Sequence, residues 1–184
     1  MSSAVQERPF HANDAELVPM RRRHVRSVLR IEALVYPRPW SATLFYQEIA
    51  RRPDRVYLVA RYGMEVIGYG GLMTSGLETH VTTIAVDPDY QRNRIGMKLM
   101  IGLIDAAISN EGYSVSLEVR RSNLAAQAMY ETFGFRPVGI RKGYYVETAE
   151  DAIVMLVEAI DSIQYADRLD LCRELVATGE HSDD

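Results

Sequence analysis

Two stretches of the chain hold residues whose types and spacing suit chemistry. The first is Ile84-Ala85-Val86-Asp87-Pro88-Asp89-Tyr90-Gln91-Arg92-Asn93-Arg94-Ile95-Gly96-Met97. A strand ends at Val86, a turn falls at Asp87-Pro88 and a long helix begins near Ile95. Such a strand–loop–helix unit exposes several backbone N–H groups beside the positive end of a helix dipole, which suits a pyrophosphate. Spacing alone leaves two readings open, a phosphate cradle or an ordinary strand-to-helix turn. The second stretch, Ser114-Val115-Ser116-Leu117-Glu118-Val119, alternates strictly, so Glu118 falls on the face opposite Val115, Leu117 and Val119. There it is either a solvated surface charge or a carboxylate free for proton transfer. Asn123 and Tyr130 follow on one face of a helix, separated along its axis by about 10 Å. That spacing suits an extended ligand, and a packed aromatic with its hydroxyl at the surface is the plainer reading of Tyr130.

The elements that must position these residues are legible from periodicity. Leu17 to Met20 reads as a first strand. Arg22 to Val35 carries Val25, Val28, Leu29 and Glu32 at helical spacing, and Pro37 and Pro39 stop it. Ser41 is placed to cap a second helix, with Trp40 and Phe45 as its hydrophobic staple. Strands follow at Val56 to Arg61, Glu65 to Thr74 and His80 to Val86, parted by turns at Tyr62-Gly63 and Ser75-Gly76. Gly96, Leu99, Met100, Leu103, Ile104, Ala107 and Ile108 form one buried helical stripe. A helix from Asn123 to Phe133 ends at Gly134, and strands at Arg136 to Tyr145 and Ala152 to Glu158 form a final pair. Asp161 to Val176 adds an amphipathic helix. The order βααβββαβαββ with a crossover helix indicates an α/β sandwich around a mixed sheet.

Composition narrows the function classes. A chain of 184 residues with 47% hydrophobic and 25% charged residues is an ordinary globular domain. It has no apolar run near the ~20 residues of a membrane helix. The polar segment Met1 to Asp14 lacks the apolar core of a signal peptide. The single cysteine, Cys172, allows no internal disulfide, so a cytoplasmic protein is expected. His11, His24, His80 and His181 are scattered without ligand spacing, so no metal is expected. A net charge of −4 argues against a nucleic-acid binder, and Arg21-Arg22-Arg23-His24-Val25-Arg26 reads as the solvated face of the first helix.

Several motifs in order resemble one family. Val-Asp-Pro-x-Tyr-Gln-Arg-x-x-Ile-Gly over residues 86–96 resembles motif A of the GNAT (Gcn5-related) N-acetyltransferases. The likeness continues through Pro39-Trp40-Ser41, Leu117-Glu118-Val119-Arg120, Ser122-Asn123, Ala128-Met129-Tyr130-Glu131, Gly134-Phe135, Arg141-Lys142-Gly143-Tyr144-Tyr145 and Glu150-Asp151-Ala152. It covers Leu17 to Val157 and is similar to the RimI branch, the ribosomal-protein alanine N-acetyltransferases. The resemblance implies a GNAT-type three-layer α/β sandwich around a mixed, mostly antiparallel central sheet. It divides the chain into a flexible segment 1–14, an acetyltransferase domain 15–158, and an additional C-terminal helix with a frayed tail at 159–184. It implies acetyl-CoA as co-substrate. Ile84, Ala85 and Val86 would pair with the pantetheine arm, Arg92, Asn93, Arg94, Ile95, Gly96 and Met97 would cradle the pyrophosphate, and Asn123 would contact the cofactor further along. Glu118 would be the general base and Tyr130 the general acid. Trp40, Tyr144 and Tyr145 would wall the acceptor site, with local packing as their other reading.

The family loop has glycine where this chain has Arg94. A left-handed backbone there would cost arginine about 1–2 kcal/mol. The expectation is that Arg94 already lies in the first helical turn with negative φ, its guanidinium free to pair with a CoA phosphate. The resemblance implies the N-terminal alanine of a ribosomal protein as acceptor. An α-amine with a pKa near 8 needs about 1 kcal/mol to deprotonate at pH 7, and lysine about 4–5 kcal/mol. Lysine, a small amine, or a non-catalytic acyl-CoA-binding role stay open as alternatives. The apolar positions Tyr165, Leu169, Cys172 and Val176 of the last helix fit either a homodimer interface or packing back on the domain.

Overall fold

Three hairpin-linked strands, a crossover helix and a closing strand pair build one sheet. The computed structural model describes residues 10–50 and 52–178. In chain order the elements are β1 (Glu16–Pro19), α1 (Val25–Val35), α2 (Ala42–Glu48), β2 (Arg55–Tyr62), β3 (Glu65–Ser75), β4 (Glu78–Val86), α3 (Ile95–Ser109), β5 (Ser114–Arg120), α4 (Leu124–Thr132), β6 (Arg136–Tyr145), β7 (Glu150–Glu158) and α5 (Ile163–Thr178). The strands lie in the order β1-β2-β3-β4-β5-β7-β6. Every neighbouring pair is antiparallel except β4 and β5, which the crossover through α3 makes parallel. Each expected element is present. The staple forms as read, with Ser41 Oγ accepting from Leu44 N–H and the Trp40 and Phe45 rings 5.4 Å apart.

Alternation along the strands makes two cores, one on each face. Val25, Val28 and Ile31 of α1 and Phe45 of α2 pack on Tyr57, Val59 and Tyr69. On the other face Leu99, Leu103 and Ile104 of α3 pack on Ile67, Val81, Val115 and Leu117. The result is the expected three-layer sandwich.

One irregularity in this frame matters for function. β4 and β5 pair only at Glu78–Ser114, Thr79–Val115 and His80–Ser116, and beyond that point they part. Just past it, β4 carries a bulge against β3: Gly71 faces Thr83 and Leu72 faces Val81, leaving Thr82 as the extra residue. A bulge bends its strand and raises the local twist, which carries the end of β4 away from β5. The bulge is pinned from below. The Tyr57 ring lies over Gly71, where an added Cβ would come within 2.2 Å of it, and the Tyr57 hydroxyl is 2.8 Å from Thr82 Oγ1.

Both ends of the described chain are packed. The first nine residues of the expected flexible segment lie outside the described residues, and its described part packs on the domain. Phe10 sits edge-on to Tyr62 and Tyr90, and Ala12 and Ala15 are buried. The tail 179–184 also lies outside the described residues. In α5, Tyr165, Leu169, Cys172 and Val176 are buried in the main core, so this face packs on its own domain and is not available to a second copy. Among the described residues no helix is long and apolar enough to cross a membrane, and no cluster of His, Cys, Asp and Glu is placed to hold a metal.

Candidate active site

The parting of β4 from β5 exposes backbone groups in the middle of a sheet. Asp87 N–H donates to Ile67 C=O at 2.9 Å, beside the Val86–Gly68 pair. By the alternation of an antiparallel ladder, Ala85 then faces β3, whereas Ile84 and Val86 turn their N–H and C=O toward the gap. Two side chains meet the carbonyls from that side: Tyr36 Oη donates to Ile84 C=O at 2.8 Å and Gln91 Nε2 to Val86 C=O at 3.2 Å. The N–H groups of Ile84 and Val86 have no strand partner on that side among the described residues. A ligand with an amide-bearing arm fits such an edge as an added strand would.

At the open end of the gap, α3 presents its N-terminus. Arg94 C=O accepts from Lys98 N–H at 3.0 Å, which makes Arg94 the N-cap and leaves the N–H groups of Ile95, Gly96 and Met97 unpaired within the helix. Here the structure corrects the sequence reading. Arg94 has φ +60° and ψ 18°, left-handed, and is not in the first helical turn; Arg92 is left-handed too, with φ +63°. The loop leaves a short turn at Pro88–Tyr90 and has four residues in which to reverse into α3, and two left-handed residues make that reversal. The about 1–2 kcal/mol this costs at Arg94 is unavoidable. Its guanidinium does not stand free for a phosphate but donates to Leu175 C=O of α5. A hydrogen bond from a charged donor, worth about 1.5–3 kcal/mol, is of the size to offset the strain. Gly96 lies against α4, where an added Cβ would stand 3.3 Å from Met129 Sδ.

Glu118 lies on the wall formed by β5, on the face away from the core as expected, but it is not solvated. Its side chain is 7% exposed and both oxygens have partners. His80 Nε2 is 3.0 Å from Oε2 and Arg141 Nη2 is 3.2 Å from Oε1. His80 Nδ1 is 3.0 Å from Ser116 Oγ. Held at both nitrogens, the His80 ring is fixed in orientation beside the carboxylate.

Tyr130 is buried between elements, its ring 5.8 Å from that of Phe135. Burial pushes its phenol well above the ordinary tyrosine range, with the nearby Tyr36 and Tyr145 adding to the effect. Burial also raises Tyr36 to about 12. The same cause raises Tyr145 to about 12, opposed by Arg120, whose guanidinium stacks 3.9 Å over the ring. Asn123 caps α4, its Oδ1 accepting from Ala126 N–H at 3.1 Å, so the amide nitrogen is the group left to offer. Tyr144 and Tyr145 meet edge to face at 5.2 Å at the end of β6. The segment before α2 is tied down by buried Glu32, which accepts from the Trp40 N–H at 2.8 Å and from the Tyr69 hydroxyl. Burial raises Glu32 above the usual carboxylate range, against the pull of those two hydrogen bonds.

The architecture and the matches to known proteins agree. Residues 25–135 match the Acetyltransferase (GNAT) family. The chain belongs to the GNAT acetyltransferase family. RimI-type enzymes are among the relatives of this N-acetyltransferase. The N-alpha-acetyltransferase RimI of Mycobacterium tuberculosis is 40% identical over 131 residues, 69% of this chain and 80% of the relative. The [ribosomal protein bS18]-alanine N-acetyltransferase of Escherichia coli is 37% identical over 127 residues, 68% of this chain and 84% of the relative. The crystal structure of the ribosomal-protein-S18-alanine N-acetyltransferase from Escherichia coli superposes with a TM-score of 0.72 at 29% identity, covering 79% of this chain and 94% of that one.

The structure thus brings Glu118 into one cleft with Ile84 and Val86, and sets the loop 92–97 at its open end. His80, Arg141, Tyr36 and Glu32 belong to this neighbourhood without a role in the sequence reading. Glu32 was visible only as one position of the α1 stripe. His80 could not be paired with Glu118 before the parallel register of β4 and β5 was known, because 38 positions separate them.

Proposed function

We propose that the chain transfers the acetyl group of acetyl-CoA to the N-terminal α-amine of a protein, alanine-first and ribosomal as in its RimI-type relatives. The observation that carries this reading is the cleft between β4 and β5, with open N–H groups on one wall and Glu118 on the other. Acetyl-CoA supplies an activated thioester and a pyrophosphate. Ile84 and Val86 hold the pantetheine arm by strand-like hydrogen bonds, with Ala85 between them keeping the register. The N–H groups from Arg92 to Met97 and the dipole of α3 bind the pyrophosphate, and Asn123 offers its amide nitrogen further along.

Glu118 takes the proton from the amine, directly or through one water. A carboxylate has about four lone-pair sites, so contacts with His80 and Arg141 leave room for that hydrogen bond. The small cost of deprotonating an α-amine lies within reach of such a base. Backbone groups near Val86 polarise the thioester carbonyl. Tyr130, kept protonated by burial, gives its proton to the departing thiolate. Trp40, Tyr144 and Tyr145 wall the acceptor channel. Residues 15–158 form the transferring unit, and the segment from 159 is an addition to it.

Thiol release from acetyl-CoA, measured with an alanine-starting ribosomal peptide against lysine peptides and polyamines, tests the proposal. Turnover with the alanine peptide at least tenfold above the others supports it. Equal or greater turnover with lysine or polyamine refutes the acceptor. No thiol release with any amine refutes catalysis and leaves an acyl-CoA-binding domain.

A further inference from the structure

Two features set this chain apart from the family pattern it otherwise follows: arginine at position 94 and the added helix α5. They touch each other. The Arg94 guanidinium, leaving the left-handed N-cap of α3, donates to the Leu175 carbonyl in the last described turn of α5. The same corner carries further ties. Asn13 Nδ2 donates to Ala177 C=O at 3.0 Å, and Lys98 Nζ, one turn into α3, donates to Ala12 C=O at 2.8 Å and Ala15 C=O at 2.5 Å. Phe10 packs edge-on against Tyr90 in the loop itself at 5.2 Å. The segment before β1 and the end of α5 therefore clasp the start of α3 from two sides.

We propose that Arg94 is a positioning residue through which α5 controls the affinity for CoA. A loop that binds a pyrophosphate through backbone N–H groups must hold those groups in one geometry, and a non-glycine residue at φ +60° does not hold it unaided. The tether to Leu175 fixes the left-handed turn before ligand arrives, so docking of α5 and binding of CoA favour one another. Thermodynamic linkage makes this reciprocal: if docked α5 tightens CoA binding, CoA must tighten the docking of α5 by the same factor. The inference rests on the loop being the pyrophosphate site, but not on the identity of the acceptor amine.

The test measures CoA binding by calorimetry in the full-length chain, without acceptor. Arg94→Ala breaks the tether at the loop. Val176→Asp breaks it at the helix, by placing a charge on the buried face of α5. Each is expected to weaken CoA roughly 5- to 20-fold, and the double variant no further than the weaker of the two, because both remove one coupling. For Val176→Asp the loss appears in KM for acetyl-CoA with kcat within twofold of wild type. If Val176→Asp is folded and binds CoA normally while Arg94→Ala does not, Arg94 contacts the cofactor directly and the inference is overturned. Additive losses overturn it equally. A second measurement does not depend on the helix variant folding. Saturating CoA should slow hydrogen exchange of the 165–178 amides in wild type and much less so in Arg94→Ala; unchanged exchange in wild type refutes the coupling. Wild type that binds no CoA at all instead refutes the reading of the loop.

Discussion

His80 and Glu118 meet across the point where the sheet divides: Nε2 of one lies 3.0 Å from Oε2 of the other. His80 is the last residue of β4 to pair with β5, opposite Ser116, and Glu118 is two residues further along the same face of β5. The carboxylate therefore sits at the closed end of the cleft, just past the point where the strands part, oriented by a ring that is itself oriented by Ser116.

Replacing that carboxylate tests its role. Glu118→Gln should lower kcat by about 10²- to 10⁴-fold, the range for loss of a general base, with CoA affinity within about threefold of wild type. Steady-state thiol release and CoA calorimetry measure the two. A kcat near wild type would remove Glu118 from the chemistry.

Tyr130→Phe separates the hydroxyl from the ring. The ring keeps its packing beside Phe135, so thermal stability should change by less than ~1 kcal/mol for loss of one hydroxyl. kcat should fall on the order of 10²-fold if the phenol protonates the leaving thiolate. An acetyl donor with a better leaving group should recover much of that loss, and failure to do so would count against the assignment.

Glu32 holds the wall before α2 by accepting from Trp40 N–H and the Tyr69 hydroxyl. Glu32→Ala strands both donors in a buried site and should cost about 2–6 kcal/mol, on the order of 1–3 per orphaned group. Glu32→Gln keeps an acceptor for Trp40 and can donate to Tyr69, so it should cost less than ~1 kcal/mol. Urea unfolding of the two variants compares them directly, and equal losses would refute the hydrogen-bonding account.

Alkaline pH should unfold the protein through its tyrosines. Burial raises Tyr36 and Tyr145 to about 12 and holds Tyr57, Tyr69, Tyr130 and Tyr165 above the ordinary value of 10. The folded state then binds more protons than the unfolded state once pH passes 10, so stability is intact below that and is lost as pH rises toward 12. Tyrosinate absorbance should show a late phase coincident with loss of circular dichroism. A single phase near pH 10 in the still-folded protein would contradict the burial of these phenols.

The elements and the faces they present follow from local sequence. Apolar residues recurring every three to four positions in α1, α3 and α5, and the alternation around Glu118, depend only on local backbone period. Ser41 with Trp40 and Phe45, and the glycines at 63 and 76, likewise act within a few residues of themselves. The ordered motifs from Pro39 to Ala152 added the family. The remaining features depend on residues distant in the chain. The parting of β4 from β5 follows from the bulge at Thr82, which the Tyr57 hydroxyl meets. The setting of Glu118 between His80 and Arg141 comes from three strands. Arg94 shows the division most directly. Local preference puts an arginine in a right-handed helical turn, and a reading of its neighbours alone puts it there. The fold instead requires a left-handed reversal between β4 and α3, with a carbonyl 81 residues away in position to receive the guanidinium. No local pattern encodes that partner, because it exists only once α5 has packed against α3.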